Sequence, residues 1–230
     1  MSRIVILTGA GISAESGLGT FRDEDGLWAQ HRLDDVATPE GFSRNPARVH
    51  GFYNARRAQA RDAEPNAAHF ALARLEAERP GRVVIITQNV DALHERAGSR
   101  RVIHMHGRLD TALCQSCRLR WPAPPEMHAE DTCKACGARA TRPDVVWFGE
   151  IPYEMDTIYA DLSRADIFAA IGTSGQVYPA STFVTTARRA GARTIEMNLE
   201  HSEISGAFSE CRRGRASESV PAWVDELLTT

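Results

Sequence analysis

Five short apolar runs recur along the chain, and each is long enough for one buried strand but too short for a helix. These runs span residues 3–7, 82–87, 101–107, 165–171 and 193–198. Between the last two, residues 179–190 have helical spacing and end at Gly191, a suitable C′ residue for a helix. The order strand, helix, strand is that of a β-α-β unit, so the pattern predicts an α/β fold built on a parallel sheet.

Helical patterns fill much of the sequence between the runs. Asn45 and Pro46 have the residue types of an N-cap and an N1 position, and they open a predicted helix that continues to about Arg61. An alanine-rich amphipathic helix follows over residues 65–75, in which His69 is expected to pack or cap, and residues 223–228 predict a short closing helix. Residues 23–45 are polar and turn-rich, without a clear period.

The first apolar run leads directly into the segment GAGISAESGLGTFR, residues 9–22. The spacing Gly9-x-Gly11-x-x-Ala14 is typical of a strand that turns sharply and opens a helix. Gly9 permits the turn, Gly11 lets backbone amides approach a pyrophosphate, and Ala14 allows the helix to pack closely. The alternative is a tight turn that binds no ligand.

The continuation of this segment differs from that of an ordinary dehydrogenase. That fold places an acidic residue at the end of a second strand, about 20 residues beyond the glycines. Residues 20–28 are instead polar and lack period-2 alternation, which favours a loop over a ligand. A second glycine turn at residues 172–175 can face phosphate or ribose, and Glu200, near the end of a later strand, can bind ribose hydroxyls.

Composition limits the classes of function. The chain has 230 residues, of which 43% are hydrophobic and 25% charged, as in soluble globular proteins, and its net charge is −3. Nucleic-acid binding needs clustered Lys and Arg, so this charge argues against it. No apolar run is long enough to span a membrane, and the start of the chain lacks the pattern of a signal peptide. We expect a cytoplasmic protein.

The cysteines give the strongest single pattern. Cys114-x-x-Cys117 and Cys133-x-x-Cys136 are separated by fifteen residues. Four thiolates at this spacing form a closed tetrahedral Zn²⁺ site, with no open position for water, so the metal is expected to be structural. The competing interpretation is four unrelated cysteines. The fifth, Cys211, is interpreted as a lone thiol, and the set indicates a reducing compartment.

Several polar residues follow the predicted strands. Gln88, Asn89 and Asp91 come directly after one strand, where open α/β sheets bind ligands, although capping by Asn89 or Asp91 is an alternative. His104 and His106 alternate onto one face, and spacing does not decide which of them serves as a base.

Two further segments also allow two interpretations. Tyr53 and Arg56 share a helix face, where a solvated basic face with Arg57 and Arg61 is the competing interpretation. Residues 143–150 are extended and form either an edge strand that pairs with a peptide or an internal core strand.

Taken together, these motifs resemble the sirtuin family of NAD-dependent protein lysine deacylases. GAGISAESG with TFR, TQNVD, the HG pair, two CxxC pairs, VVWFGE, GTS and NLE occur in the order found in that family and cover almost the whole chain. The similarity is greatest to compact bacterial, CobB-type members of the class that removes succinyl and malonyl groups. Gly19 departs from the proline or bulkier residue often found before TFR.

The resemblance implies a Rossmann-like sheet with helices on both faces and a small zinc-binding and helical domain. The implied NAD-binding domain comprises residues 1–32, 70–107 and 143–230, with a helical insert at 33–69 and a zinc module at 108–142. The implied NAD contacts are Gly9, Ala10, Gly11, Ile12, Ser13, Glu15, Thr20, Phe21, Arg22, Trp28, Gln88, Asn89, Val90, Asp91, Gly172, Thr173, Ser174, Asn198, Leu199, Glu200 and Ala216. The implied metal ligands are Cys114, Cys117, Cys133 and Cys136.

The resemblance also assigns the chemistry. It selects His106 over His104 as the base, and it assigns Val146, Phe148 and Gly149 to substrate binding. Tyr53 and Arg56 match the Tyr-x-x-Arg pair associated with acidic acyl groups. The implied reaction transfers acetyl, succinyl or malonyl from an acyl-lysine protein or peptide to ADP-ribose and releases nicotinamide. The implied protein is a monomer without a nucleic-acid or membrane partner. The nearest alternative is a protein mono-ADP-ribosyltransferase, and a zinc module that binds nucleic acid or senses NAD without turnover is a third.

Overall fold

A six-stranded parallel sheet forms the centre of the computed structural model, which describes residues 2–19 and 31–229. We call it the large sheet. Its strands are β1 (Ile4–Thr8), β2 (Val83–Thr87), β3 (Val102–His104), β7 (Ile167–Ile171), β8 (Arg193–Asn198) and β9 (Glu210–Arg213). They lie in the order β3-β2-β1-β7-β8-β9, and all neighbours run parallel. The predicted α/β fold with a parallel sheet is confirmed.

The strand order reverses between β1 and β7. From β1 the chain proceeds outwards through β2 and β3, and from β7 it proceeds outwards in the other direction through β8 and β9. Such a reversal leaves a crevice outside the carboxyl ends of the two central strands, and open α/β sheets bind their ligands there. The glycine turns at residues 9–11 and 172–175 follow β1 and β7 and therefore lie at this crevice.

Helices cover both faces of the large sheet, as parallel sheets require. On one face, α1 (Ala10–Ala14), α5 (Ala67–Glu78) and α9 (Ala216–Thr229) pack against alternate strand residues such as Ile6 and Ile85. On the other face, α7 (Met155–Leu162) and α8 (Phe183–Arg189) pack against the intervening positions, such as Leu7 and Ile86. The short α6 (Leu93–Arg96) follows β2.

A second, antiparallel sheet carries the cysteines and packs against three helices. Its strands are β4 (Gly107–Cys114), β5 (Arg120–Pro122) and β6 (Thr141–Val145), in the order β5-β4-β6. The helices are α2 (Leu33–Val36), α3 (Pro39–Arg44) and α4 (Pro46–Asp62). A shared apolar core includes Val49, Tyr53, Leu109 and Trp147. We call this assembly the small region. The domain boundaries stay a prediction, and α5, which crosses residue 70, packs against the large sheet.

The helix predicted at Asn45–Pro46 forms as expected. The Asn45 side chain accepts a hydrogen bond from the amide of Arg48, and the helix continues to Asp62. The interpretation of its arginines as one solvated face is wrong for Arg57. That side chain is buried, and it donates to the Leu109 carbonyl at 2.8 Å and to Asn54 Oδ1 at 2.8 Å. Arg57 therefore joins α4 to the antiparallel sheet.

Other elements differ from the sequence prediction at their ends. The strand predicted over residues 101–107 stops at His104, because Gly107 already starts β4 of the other sheet. The extended segment 143–150 is a strand only to Val145 and then turns. The closing helix begins at residue 216 and contains Pro221, which removes one backbone hydrogen bond of the helix. Burial of Val220, Trp223 and Val224 against the large sheet stabilises the helix despite this loss. The strand β9 was missed. In the described part of the chain, no helix is long and apolar enough to cross a bilayer.

Candidate active site

The two glycine turns at the crevice pack backbone against backbone. The Gly11 amide donates to the Gly172 carbonyl at 2.8 Å, and the Gly9 amide donates to the Ile171 carbonyl at 3.0 Å. A Cβ on Gly172 would lie 2.4 Å from the Ile12 nitrogen, and one on Gly9 would lie 2.7 Å from the Gly172 oxygen. Gly172 also has φ of +63°, which favours glycine. The close contact between the two turns thus explains why glycine is required at these positions.

Polar side chains after β2 bind to the first turn. Asn89 Nδ2 donates to the Gly9 carbonyl and to Ser13 Oγ, each at 3.1 Å. Ser13 Oγ in turn donates to Asp91 Oδ2 at 3.2 Å, while Asp91 Oδ1 accepts from the Leu93 amide at the start of α6. Asp91 therefore both binds the first amide of α6 and belongs to the crevice. Burial raises the pKa of Asp91, and the hydrogen bonds from Leu93 and Ser13 oppose that rise.

The end of β7 connects to the same network. Gln88 Nε2 donates to Thr173 Oγ1 at 2.9 Å, and Asn198 Nδ2 donates to the Thr173 carbonyl at 2.8 Å. Ser174 Oγ accepts from the Gln176 amide. Residues that follow β1, β2, β7 and β8 are thus joined at one edge of the large sheet, as the sequence predicts. Their amide and hydroxyl groups are of the kind that bind ribose hydroxyls and a carboxamide, so this part of the crevice fits NAD.

Geometry distinguishes the two histidines that spacing left open. His104 Nδ1 lies 3.1 Å from the Asn89 carbonyl, and its Nε2 lies 2.7 Å from Glu95 Oε1. Both of its nitrogens therefore already have partners within the protein. His106 Nδ1 lies 3.1 Å from the Gln88 carbonyl. Because a carbonyl only accepts, Nδ1 carries the proton and Nε2 keeps its lone pair. Of these two histidines, only His106 has a nitrogen arranged as a base.

His106 lies on the segment that passes from the large sheet to the antiparallel sheet. Its carbonyl accepts from the Val146 amide at 2.9 Å, and the neighbouring Met105 amide donates to the Thr87 carbonyl at 3.1 Å. Burial lowers the pKa of His106, while the hydrogen bond to Gln88 opposes this effect. The imidazole is therefore neutral at pH 7, as a general base must be.

Tyr53 and Arg56 lie about one helical turn apart on α4. Tyr53 is only 1% exposed, and its hydroxyl oxygen accepts from Trp147 Nε1 at 3.0 Å. Arg56 is half-buried, with its guanidinium carbon 5.9 Å from the centre of the Phe52 ring. Burial lowers the pKa of Arg56, and interactions with Tyr53 and Asp91 oppose this change. The interaction with Asp91 relates this part of α4 to the crevice.

The segment predicted to bind substrate follows β6. Val146 donates to the His106 carbonyl, and the Phe148 amide donates to the Ala37 carbonyl at 2.9 Å. Phe148 is 49% exposed, and Gly149 has φ of +90°. The strand β6, which includes the start of the extended segment 143–150, lies at the edge of its sheet, but its residues are buried.

Some predicted NAD contacts face elsewhere or are not covered. The side chain of Ile12 lies in the core of the large sheet, and Val90 lies in the core of the small region. Glu15 accepts from the Ser217 amide at 3.0 Å, next to Ala216, the first residue of α9. Leu199 and Glu200 are exposed beyond β8, and Ala10 opens α1. Thr20, Phe21, Arg22 and Trp28 lie outside the described residues.

Sequence reasoning missed a buried polar cluster below the crevice. Thr8 Oγ1 donates to Thr87 Oγ1 at 2.9 Å and lies 3.0 Å from His94 Nε2. Thr87 Oγ1 also accepts from the Asn89 amide at 3.0 Å. The available signal was that β1 and β2 both end in threonine, and these two residues are direct partners in the parallel register.

The four cysteines form the predicted cluster. Their sulfur atoms all lie within 4.8 Å of one another, with 3.7 Å between Cys114 and Cys136 and 3.6 Å between Cys117 and Cys133. Four sulfurs bound to one tetrahedral zinc ion at about 2.3 Å would lie about 3.8 Å apart, so the cluster fits structural Zn²⁺.

The two CxxC turns have matching backbones. Arg118 donates to the Cys114 carbonyl and Gly137 to the Cys133 carbonyl, at 2.9 and 2.8 Å. Both donor residues have left-handed φ, +63° and +69°. The repeated geometry presents two sulfurs from each turn to one point.

Comparison with known proteins agrees with this architecture. Residues 9–179 match the Sir2 family. A relative from Caulobacter vibrioides, named NAD-dependent protein deacylase, is 56% identical over 98% of this chain and 97% of its own length. One of the same name from Salmonella typhimurium is 55% identical over 98% of this chain and 84% of its own length. A solved structure of a Sir2 homologue–NAD complex is 38% identical, with a TM-score of 0.91, over 99% of this chain and 90% of that one. The chain belongs to the Sir2 family.

Proposed function

We propose that this protein is an NAD-dependent protein deacylase, with His106 as its general base. Relatives of that name are 54–56% identical over nearly the whole chain, and a 38% identical homologue is solved as an NAD complex. The observation that carries the proposal is the orientation of His106. Nδ1 of His106 donates to the Gln88 carbonyl, so Nε2 keeps its lone pair. Gln88 belongs to the hydrogen-bonded network at the carboxyl ends of β1, β2, β7 and β8.

The crevice residues would hold NAD as the co-substrate. Gln88, Asn89 and Asp91 would bind the nicotinamide side, and the turn at Gly172 with Asn198 would bind the adenosine side; hydrogen bonds within the protein join these residues to one another and to neighbouring backbone. Bound NAD supplies a ribosyl–nicotinamide bond that can be broken and a ribose that takes over the acyl group. The hydrogen bonds among Ser13, Asn89 and Asp91 hold their side chains in place before the ligand enters.

His106 accepts a proton from a ribose hydroxyl. The Gln88 carbonyl fixes the tautomer that leaves Nε2 unprotonated, and burial keeps the ring neutral at pH 7. General base catalysis of this kind contributes about 10²–10⁴-fold to a rate. Holding the weakly nucleophilic amide oxygen of the acyl-lysine close to its target supplies a further share.

Tyr53 and Arg56 give the site its preference for acidic acyl groups, in addition to acetyl. A succinyl or malonyl group ends in a carboxylate, which an arginine guanidinium binds through two parallel hydrogen bonds. Tyr53 adds a buried hydroxyl, and Phe52 and Val49 provide apolar surroundings. An acetyl group has no carboxylate to offer to Arg56.

Val146, Phe148 and Gly149 would bind the peptide around the acyl-lysine. An extended peptide binds to proteins by adding a strand to an exposed edge, with main-chain hydrogen bonds for affinity. β6 is an edge strand whose own residues are buried, so the peptide would pair with the segment after it, which connects directly to His106 through the Val146 amide. The exposed Phe148 side chain adds apolar surface at the same place.

The experiment is a mass-resolved assay of acetyl-, malonyl- and succinyl-lysine peptides with and without NAD. We expect NAD-dependent loss of each acyl mass and release of nicotinamide. For Arg56→Met we expect desuccinylation to fall about 10–100-fold more than deacetylation, as for loss of a hydrogen bond to a charged group. Arg61→Met, an exposed arginine on the same helix, is the control.

Two results would contradict this proposal. An equal loss of both activities in Arg56→Met would remove Arg56 from acyl selection. A gain of one ADP-ribose mass on the peptide, without loss of the acyl mass, would indicate a protein mono-ADP-ribosyltransferase instead.

A further inference from the structure

The Tyr53 hydroxyl is buried with only part of its hydrogen-bonding capacity used. A phenolic hydroxyl has one donor hydrogen and lone pairs that accept. Its oxygen accepts from Trp147 Nε1 at 3.0 Å, and the residue is 1% exposed. Among residues 2–19 and 31–229, no acceptor receives the hydroxyl hydrogen. A buried donor of this kind costs free energy until a partner binds it.

Two further contacts fix Trp147, one to its ring and one to its backbone amide. The Arg142 guanidinium carbon lies 3.3 Å from the centre of a Trp147 ring, a cation–π contact in a buried setting. Arg142 binds Glu150 through two hydrogen bonds of 2.7 and 3.0 Å, and Glu150 Oε2 accepts from the Trp147 amide at 2.8 Å. The indole N–H is therefore fixed in direction and, since indole nitrogen only donates, fixed in role.

We infer that Trp147 is a positioning residue for acidic acyl substrates, because its indole N–H occupies a lone pair of Tyr53 and directs the Tyr53 hydrogen towards the acyl carboxylate. This inference rests on the proposed placement of acidic acyl groups at Tyr53 and Arg56. A hydroxyl hydrogen otherwise rotates to suit its surroundings. With one side of the oxygen occupied by a donor, the hydrogen points away from Trp147.

The arrangement suits an anionic partner. Burial raises the pKa of Tyr53, while the charge of Arg56 and the hydrogen bond from Trp147 oppose that rise. The hydroxyl therefore stays protonated and can donate at neutral pH. Transferring a carboxylate out of water is costly unless it is paired and hydrogen-bonded. Arg56 supplies the charge, and the oriented Tyr53 supplies a second, neutral donor.

A double-mutant cycle tests the coupling between the two residues. The quantity measured is kcat/KM for a succinyl-lysine peptide divided by kcat/KM for the matching acetyl-lysine peptide. We expect Tyr53→Phe to lower this ratio about 10–100-fold. We expect Trp147→Phe to lower it about 3–10-fold, the scale of one neutral hydrogen bond, mainly through the KM for the succinyl peptide. In the Tyr53→Phe background, Trp147→Phe should lower it no further.

Two controls separate the N–H group from the bulk of the ring. Benzothienylalanine at position 147 keeps the indole shape but replaces N–H by sulfur, so it should reproduce the ratio change even if Trp147→Phe fails to fold. Trp223→Phe removes another buried indole, in α9, whose Nε1 has no partner among the described residues. It should leave the ratio unchanged.

The outcomes distinguish this inference from the proposal beneath it. If Tyr53→Phe leaves the ratio unchanged, the proposed acyl preference fails, and the inference fails with it. If Tyr53→Phe lowers the ratio but Trp147→Phe lowers it by the same factor in both backgrounds, or benzothienylalanine has no effect, only the inference is overturned.

Discussion

The crevice of the large sheet and the small region reach a defined geometry by different means. At the crevice, backbone packs on backbone between Gly11 and Gly172, and the polar side chains bond to one another. In the small region, long side chains and cysteines hold the structure, as in the Arg142–Trp147 stack and the four-sulfur cluster. The first arrangement consists of contacts within the protein, whereas the second includes four thiols that fit a metal ion.

This difference determines which substitutions destabilise each region. A parallel sheet buried on both faces has a large apolar core of its own, so loss of one polar contact leaves the fold intact. The three-stranded sheet is too small to support itself on apolar contacts alone, and metal binding supplies folding free energy to such modules. The two regions should therefore respond differently to the same type of perturbation.

Loss of the metal gives the largest expected effect. Binding of structural zinc contributes about 10–16 kcal/mol in small zinc modules, which is comparable to the stability of a whole domain. We expect Cys133→Ser to lose bound zinc and activity while the far-ultraviolet circular dichroism of the large sheet remains. Zinc content by mass spectrometry and activity are the measurements. The control is Cys211→Ser, which changes a cysteine outside the cluster and should retain both zinc and activity. A Cys133→Ser enzyme that is zinc-free but fully active would show that the small region does not need the metal.

His106→Ala tests the point where the two regions meet. We expect turnover to fall about 10²–10⁴-fold or more, because the proposed proton acceptor is removed. The midpoint of thermal unfolding should change little, since the ring makes one hydrogen bond to the Gln88 carbonyl. The exposed His128→Ala is the control. Undiminished nicotinamide release by His106→Ala would refute the role of this residue.

Gly172→Ala should damage the crevice through the backbone. The new Cβ would lie 2.4 Å from the Ile12 nitrogen at a left-handed φ, so we expect a loss of about 3 kcal/mol or more in the free energy of unfolding. Gly191→Ala is the matched control, because Gly191 has φ of +90° but a methyl group added there would meet no atom within 4 Å. We expect about 1–2 kcal/mol there. Urea denaturation measures both, and equal losses would show that turn-to-turn packing is unimportant.

The smallest expected effect concerns acid stability on the large-sheet side. Burial lowers the pKa of His69 from 6.5 to about 4. The unfolded chain therefore binds more protons than the folded one below pH 6.5, so stability is present above that value and falls as pH decreases towards 4. His69→Gln preserves a side chain suited to the capping box at Asn66.

The measurement is the free energy of unfolding at pH 7 and at pH 5. We expect His69→Gln to reduce the difference between the two values by about 2 kcal/mol. An unchanged difference would show that His69 does not titrate as its burial requires.

Local sequence patterns were sufficient to predict most elements of the fold. The strands and the helix that starts at Asn45–Pro46 are encoded by residues a few positions apart, so sequence alone predicts them. The sequence pattern does not predict β9 because three of its four residues are charged and none is buried, as occurs at the edge of a sheet. The roles of Arg57 and Trp147 could not be predicted from local sequence patterns, because their partners are distant in sequence. Trp147 and Tyr53, for example, are separated by 94 positions.

The candidate site divides in the same way. Gln88, Asn89 and Asp91 could be placed because a parallel strand ends just before them. The choice between His104 and His106 could not be made from spacing, because it depends on which carbonyl or carboxylate faces each nitrogen. The close packing of Gly11 on Gly172 likewise requires knowledge that β1 and β7 are neighbours.

The crossing segment that carries His106 has a practical consequence. The imidazole is tied to Gln88 after β2, while the carbonyl of the same residue is tied to Val146 after β6. An isotope label on this one ring would consequently sense disturbance from either direction, and its nuclear magnetic resonance signal could be followed during chelation. The signal of the proposed general base would then also report whether the large sheet and the small region remain assembled.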